Sequence, residues 1–276
     1  VAKDMATAMF DFEFLPAGRG LWALGSETVR RYGSAALNNC CYITIDDPAE
    51  DFASMMDYLM LGVGVGFSMS KRLPNQALYN PEESGRTEVF RIPDSREGWV
   101  ESVRRLIASY CAPNQPVLQF DYQEIRPAGT PIRGFGGVAS GPEPLRKLHE
   151  RIRDYFRNWF AEGRLTWGSR LVVDIGNAIG CCVVAGNVRR SAEIALGSPF
   201  DKEFLDLKDY TVFPYRAEIG WQSNNSVVLR HVEDFEKLGE IAQRVVLNGE
   251  PGVFNLLNVR KYGRYTDKSL PEDQAE

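Results

Sequence analysis

Between residues 49 and 61 the apolar side chains Phe52, Met55, Met56 and Leu59 recur three or four apart, the spacing of one face of an α-helix. The stretch before it, 37–44, has the apolar, β-prone character of a buried strand, and Asp46-Asp47-Pro48 stops that strand and opens the helix. Gly62-Val63-Gly64-Val65-Gly66 then reads as a glycine turn entering a second strand, so this region predicts a βαβ unit. Upstream, 5–32 reads as helix and loop delivering Pro16 to Trp22, with Arg19 pointing inward. From 71 to 129 the texture turns to proline and charge. One amphipathic helix is expected there, over 99–110, with Trp99, Leu106, Ile107 and Tyr110 on one face. Helices follow at 142–161 and 171–179, then a turn at 186–190, a strand at 225–229, a helix at 232–246 and a turn at 249–252 leading into Val253-Phe254-Asn255. The chain divides accordingly into 1–70, an inserted subdomain at 71–129, and 130–276, with no internal repeat.

Composition narrows the function classes. The 276 residues are 44% hydrophobic, enough for a real core. Net charge is −5 with no run of Lys and Arg, so neither nucleic acid nor an anionic membrane is an expected partner. Apolar runs such as Cys181-Cys182-Val183-Val184-Ala185 are too short to cross a bilayer and no signal-peptide pattern opens the chain, which predicts a soluble cytoplasmic protein. Five cysteines in two adjacent pairs and a single suit neither a disulfide framework nor Cys-x-x-Cys zinc spacing, so a functional cysteine is a redox thiol. His149 and His231 are expected on surface helices and cannot form a multi-histidine metal site. The chain begins at Val1 without Met and stops in a polar stretch at 271–276, so both ends read as cuts in a longer reading frame.

Several motifs carry candidate chemistry. Ala35-Ala36-Leu37-Asn38-Asn39-Cys40-Cys41-Tyr42 sets a thiol at a strand end, with Cys41 on the opposite face and assigned to packing. A lone cysteine here would be a small buried hydrophobe. The glycines of 62–66 could turn bare amides toward a phosphate, although their spacing matches neither a dinucleotide fingerprint nor a Walker loop. Gly186-Asn187-Val188-Arg189-Arg190 is a loop whose adjacent arginines cannot both face a core. With Asp94-Ser95-Arg96-Glu97-Gly98-Trp99, Gly134-Phe135-Gly136-Gly137-Val138-Ala139-Ser140-Gly141-Pro142, Ser223-Asn224-Asn225-Ser226 and Asn248-Gly249-Glu250-Pro251-Gly252, these motifs resemble, in order, the adenosylcobalamin-dependent (class II) ribonucleoside-triphosphate reductases of the monomeric type.

That resemblance implies an α/β fold, the ten-stranded α/β barrel of the reductases. This chain would supply the first five-stranded half and the start of the second, with an inserted α+β subdomain serving effector binding and replacing a dimer partner. It implies thiyl-radical reduction of ribonucleoside triphosphates for DNA synthesis, adenosylcobalamin as cofactor, a deoxynucleoside triphosphate effector and a thioredoxin-like reductant. Cys40 would be one half of a redox pair, because removing the 2′-hydroxyl as water takes two electrons and two protons. Asn38, Asn39, Gly64 and Ser140 would bind substrate, the thiol facing a cleft that they line. Asp47, Arg72, Asn187, Arg189 and Arg190 would contact or relay the effector, although Asp47 also suits a helix N-cap and Arg72 a bare surface. The Asn-Pro-Cys-Gly-Glu loop of the radical cysteine is absent from the 276 residues, so this chain alone is expected not to turn over. The remaining part of the reductase is then an expected partner. The alternatives are a nucleotide-binding module without chemistry, one half of a split enzyme, or a diphosphate reductase, the last disfavoured by the motifs at 94–99 and 125–137.

Overall fold

The computed structural model describes residues 1–132, 137–185 and 192–262. Three short helices, α1 (Ala2–Phe10), α2 (Gly18–Ala23) and α3 (Glu27–Tyr32), lead into β1 (Cys40–Ile45), α4 (Pro48–Met60) and β2 (Gly64–Met69). The insertion holds β3 (Thr87–Arg91), α5 (Arg96–Cys111) and β4 (Val117–Asp121). Then come α6 (Glu143–Ala161), α7 (Ser169–Val184), β5 (Glu193–Gly197), α8 (Lys202–Leu205), β6 (Ser223–Leu229), α9 (Leu238–Asn248), β7 (Gly252–Asn255) and α10 (Leu256–Tyr262).

Local chemistry explains the first unit. Asp47 caps α4 by accepting from the Glu50 amide at 3.5 Å, with Pro48 at the first helical position. Phe52, Met55, Met56 and Leu59 all point into the core, where each such side chain stabilises by about 1.5–3 kcal/mol. Arg19 does point inward, donating to the Leu61 carbonyl at 3.0 Å and the Gly62 carbonyl at 2.6 Å, which ties the N-terminal segment to the end of α4.

The main sheet is fully parallel in the order β1-β2-β5-β6-β7. It is a five-stranded open sheet. Neither a closed barrel, ten strands nor a sixth strand of this sheet is present among the described residues. The expected glycine turn is also shorter than the sequence suggested: only Gly62 takes a positive φ, at 77°, while Gly64 and Gly66 lie within β2. Gly66 is needed there because a Cβ would stand 3.1 Å from the Tyr42 ring and 3.3 Å from Ile194. The insertion's two strands pair in parallel across α5, so it is a small βαβ unit of α/β rather than α+β character. Ser95 caps α5 by accepting from the Gly98 amide at 3.0 Å, and Leu106, Ile107 and Tyr110 are buried while Trp99 is half-buried. Of the helix expected over 232–246, the first part, Val232–Lys237, is a 3₁₀ turn and the rest is α9.

α7 is the hub, buried from Ser169 to Gly180 between the sheet and α6. On α6, Leu145, Leu148, Ile152 and Phe156 form the buried stripe, and His149 lies within it. His149 is therefore not a surface residue. Ser102 Oγ donates to the Trp99 carbonyl at 2.7 Å, so it accepts from His149 Nε2 at 3.0 Å, and Nδ1 accepts from the Tyr122 hydroxyl at 2.8 Å. The ring stacks on Phe120 with centroids 4.0 Å apart. Burial first, and the Arg153 charge second, hold its pKa well below the ordinary value of 6.5. In the unfolded chain His149 takes its proton near 6.5, so this contribution is complete above that pH and is lost as pH falls below it. The loss is about 1.4 kcal/mol per unit until the folded pKa is reached. Urea unfolding at about pH 7.5 and about pH 5.5 is expected to show that loss, and His149→Gln to show a shallower pH dependence.

Candidate functional site

Strand alternation sorts the main sheet into two faces. One face, with Cys41, Ile43, Val65, Phe67, Ala195 and Val227, packs on α4 and α7. The other carries Cys40 and Tyr42 of β1, Gly64 and Gly66 of β2, Ile194 of β5, Asn224 of β6 and Phe254 of β7, and it is open toward the strand starts, where Cys40, Tyr42, Ile194 and Asn224 are exposed, whereas Val228 near the end of β6 is buried.

Cys40 opens β1 at this face, in register with Gly64. The Gly64 amide donates to the Asn39 carbonyl at 2.8 Å and the Val65 amide to the Ala192 carbonyl at 2.9 Å, which aligns the amino ends of three strands. A Cβ at Gly64 would lie 3.8 Å from the Cys40 sulfur, so glycine leaves that flank of the thiol open. Asn38 and Asn39 are exposed just ahead of it. Tyr42 donates to Ser68 Oγ at 2.6 Å on the same face. Asn224, within the Ser223-Asn224-Asn225-Ser226 motif, is exposed on this face between the buried Ser223 and Asn225.

The five thiols differ sharply. Cys40 is exposed. Cys41 is raised by burial and then by Cys40, Cys111 is pushed by burial to about 12 and Cys181 to about 11, and the fully buried Cys182 is raised by burial as well. Brief iodoacetamide treatment at neutral pH is expected to label Cys40 at least about tenfold faster than the other four, read by peptide mass mapping. Preferential labelling of Cys182 would contradict this geometry.

Ser140 lines a cavity whose lining does not include Cys40. This cavity, of about 240 Å³, lies between α3, the start of α5, the loop after β4 and the last turn of α7. Tyr32, Trp99, Arg96 and Arg126 line it too, with Asp94 and Ser95 at the head of α5. The Arg96 guanidinium lies 4.7 Å from the Tyr32 ring centroid and pairs with Asp57 and, at 2.9 Å, with Glu97. Arg126 pairs with Asp94 at 2.7 Å. Asp47 and Arg72 lie elsewhere, at the carboxyl end of β1: Asp47 caps α4, and Arg72, largely exposed, pairs with Asp46, whose carboxyl is held below its usual range by the Ser70 hydroxyl first and by Arg72. Asn187, Arg189 and Arg190 lie outside the described residues.

Beneath the thiol face sits a buried polar network. Glu193 at the start of β5 is fully buried, which raises its pKa well above the carboxylate range, partly offset by the Asn177 amide donating at 3.2 Å. Asn177 in turn accepts from Arg216, also completely buried, which pairs with Asp174 and donates to the Leu207 carbonyl at 2.8 Å. Lys208 pairs with Glu250 at 3.3 Å, and Glu250 accepts from the Asn225 amide at 2.8 Å, holding β6 beside the entry to β7.

The five-stranded parallel sheet, with an exposed thiol at a strand start and a βαβ unit over 87–121, is similar in sequence and fold to known reductases. Residues 71–155 match the family described as "B12-dependent ribonucleotide reductase, insertion domain". The adenosylcobalamin-dependent ribonucleoside-triphosphate reductase of Euglena gracilis is 43% identical over 99% of this chain and 37% of its own length. That of Lacticaseibacillus paracasei is 33% identical over 100% of this chain and 43% of its own. A crystal structure of a B12-dependent (class II) ribonucleotide reductase superposes with a TM-score of 0.72 at 30% identity, covering 92% of this chain and 41% of that one. Nearly the whole chain is similar to adenosylcobalamin-dependent class II ribonucleotide reductases, and it spans less than half the length of these relatives.

Adenosylcobalamin is the family's cofactor. Among the described residues no cluster could hold a metal ion, both His149 nitrogens are engaged, and the His231 ring accepts from the Asp234 amide. No helix among the described residues is long and apolar enough to cross a membrane.

Proposed function

We propose that this chain provides the thiol face and the effector cavity of a ribonucleoside-triphosphate reductase. The observation that carries the reading is Cys40, exposed at the start of β1 where this sheet face is open, with Gly64 leaving its flank open. A ribonucleotide laid on that face would bring C2′ to the sulfur. Two thiols would then give up two electrons and two protons to become a disulfide, one proton leaving with the 2′-hydroxyl as water and C2′ gaining a hydrogen in its place, and a thioredoxin-like dithiol would restore them. Cys41 packs against the core and cannot face the same substrate, so the second thiol comes from outside these 276 residues. The cofactor supplies the radical; Asn38, Asn39 and the Gly64 backbone orient the substrate.

The deoxynucleotide effector is placed in the cavity of Tyr32, Arg96, Trp99 and Arg126, which offers aromatic faces for a base and guanidinium groups for phosphates. Ser140 belongs to this cavity rather than to the thiol. The lining includes Cys182 and Val183, a few residues before 186–190 in the sequence, the segment expected to relay effector identity. Asp47 and Arg72, which do not line this cavity, are not part of the proposed effector site.

In an assembled reductase containing this chain, Cys40→Ser is expected to lower multiple-turnover reduction by at least about 10³-fold. Undiminished turnover would defeat the reading. Equilibrium dialysis of deoxynucleoside triphosphates against the chain tests the second half: Arg96→Ala is expected to weaken binding about tenfold. Cytoplasmic deoxynucleotide supply for DNA synthesis is the proposed setting. The open part of this face also suits one half of a split enzyme, for which activity would return on mixing with a second chain.

A further inference from the structure

We infer that a second cavity, at the carboxyl ends of β2, β5 and β6, binds a small amphipathic anion, one carboxylate or phosphate on an apolar body. This cavity holds about 350 Å³ and shares no lining residue with the Tyr32 and Arg96 cavity. In parallel α/β sheets the carboxyl ends of strands are where ligands are received. Its wall is formed by Phe67, Val172, Ala195 and Phe204, all buried. An apolar wall with a few convergent polar groups is the usual composition of a small-molecule site.

Among its polar groups are Lys71 just past β2, Arg230 just past β6, and Ser169 in the first turn of α7. Neither the Lys71 ammonium nor the Arg230 guanidinium has a partner among the described residues. Ser169 is only 8% exposed, and its hydroxyl is buried with nothing bonded to it. Buried hydroxyls are otherwise almost always paired, so this one marks a place for a missing acceptor. Two carboxylates also line the cavity, but the backbone occupies them. Asp201 accepts from the Phe204 amide at 3.0 Å, and Asp234 from the Arg230 and His231 amides at 2.6 and 3.0 Å. The lining is neutral overall, with two cations and two carboxylates, but only the cations lack a partner, which puts an anion's charged end between Lys71 and Arg230 and its body against Phe67, Val172 and Phe204.

Amide chemical-shift mapping of the full chain tests this, with phenyl phosphate and phenylacetate as probes and inorganic phosphate and dATP as comparisons. Saturable shifts are expected at 169–173, 198–204 and 230–234, and the tighter of the two aromatic probes assigns phosphate or carboxylate. Joint replacement Lys71→Ala and Arg230→Ala is expected to weaken binding at least about tenfold. Val172→Phe, which fills the wall, is expected to abolish it; should that variant fail to fold, the surface double replacement decides alone. The inference is overturned by the absence of saturable shifts with both aromatic probes, by binding indifferent to the double replacement, by inorganic phosphate binding as tightly as phenyl phosphate, or by dATP binding these residues more tightly than either aromatic probe.

Discussion

Replacing Arg216 by Met is expected to cost about 3–5 kcal/mol of stability, the largest loss for any single side chain here, because it leaves Asp174 charged, buried and deprived of its partner. Asp174 would keep only the Tyr215 hydroxyl, which donates at 2.5 Å, and Asn177 and the Leu207 carbonyl would lose their donors. Removing the pair together, Arg216→Met with Asp174→Leu, is expected to recover much of the loss, since two buried charges are costly to desolvate and an apolar pair is not. Urea unfolding followed by circular dichroism measures both. A single replacement costing under about 1 kcal/mol would mean that Asp174 finds another partner.

Gly180→Ala is expected to cost about 2–4 kcal/mol from overpacking and a broken hydrogen bond. A Cβ there would stand 2.0 Å from Glu193 Oε1 and 2.6 Å from the Gln222 side chain, both in the packed interior, so β5 or α7 must shift. Gly239 is the control: it is helical and exposed, a Cβ meets nothing within 4 Å, and Gly239→Ala is expected to stabilise by about 0.4–1 kcal/mol. Thermal unfolding of the two variants should move in opposite directions. A Gly180→Ala protein as stable as the parent would refute the close approach of α7 to the sheet.

The helices were legible where periodicity and caps coincide. α4 announces itself through Asp47-Pro48 and its apolar stripe, and α5 through Ser95 and the face of Leu106, Ile107 and Tyr110. His149 shows how residue type can mislead: its spacing to Leu145 and Ile152 puts it on the buried face of α6, but an imidazole was assumed to be wet. The glycines at 64 and 66 misled in the opposite sense. Their composition says turn, whereas Gly66 is small because Tyr42 and Ile194 close over it, contacts between strands distant in sequence. The same limit governs the site. Cys40 beside Gly64 followed from a local βαβ unit, but the company of Ser140 depends on how a loop more than a hundred residues from α3 folds against it, which no local pattern encodes. That β1 to β7 stop at an open sheet is likewise a property of the whole chain.

Strand order in the main sheet repeats chain order, with no strand inserted between two earlier ones. During synthesis each new strand can therefore be laid against an edge that already exists, beginning with the thiol-bearing β1 and its neighbour β2. The exception is the step from β2, which ends at Met69, to β5, which begins at Glu193. That single pairing must wait for the insertion, α6 and α7 to emerge, so it closes the longest loop in the fold and carries the largest entropic cost. Until it forms, β2 presents a bare edge to its surroundings, which makes the ribosome-bound intermediate, rather than the finished domain, the state in greatest need of a chaperone.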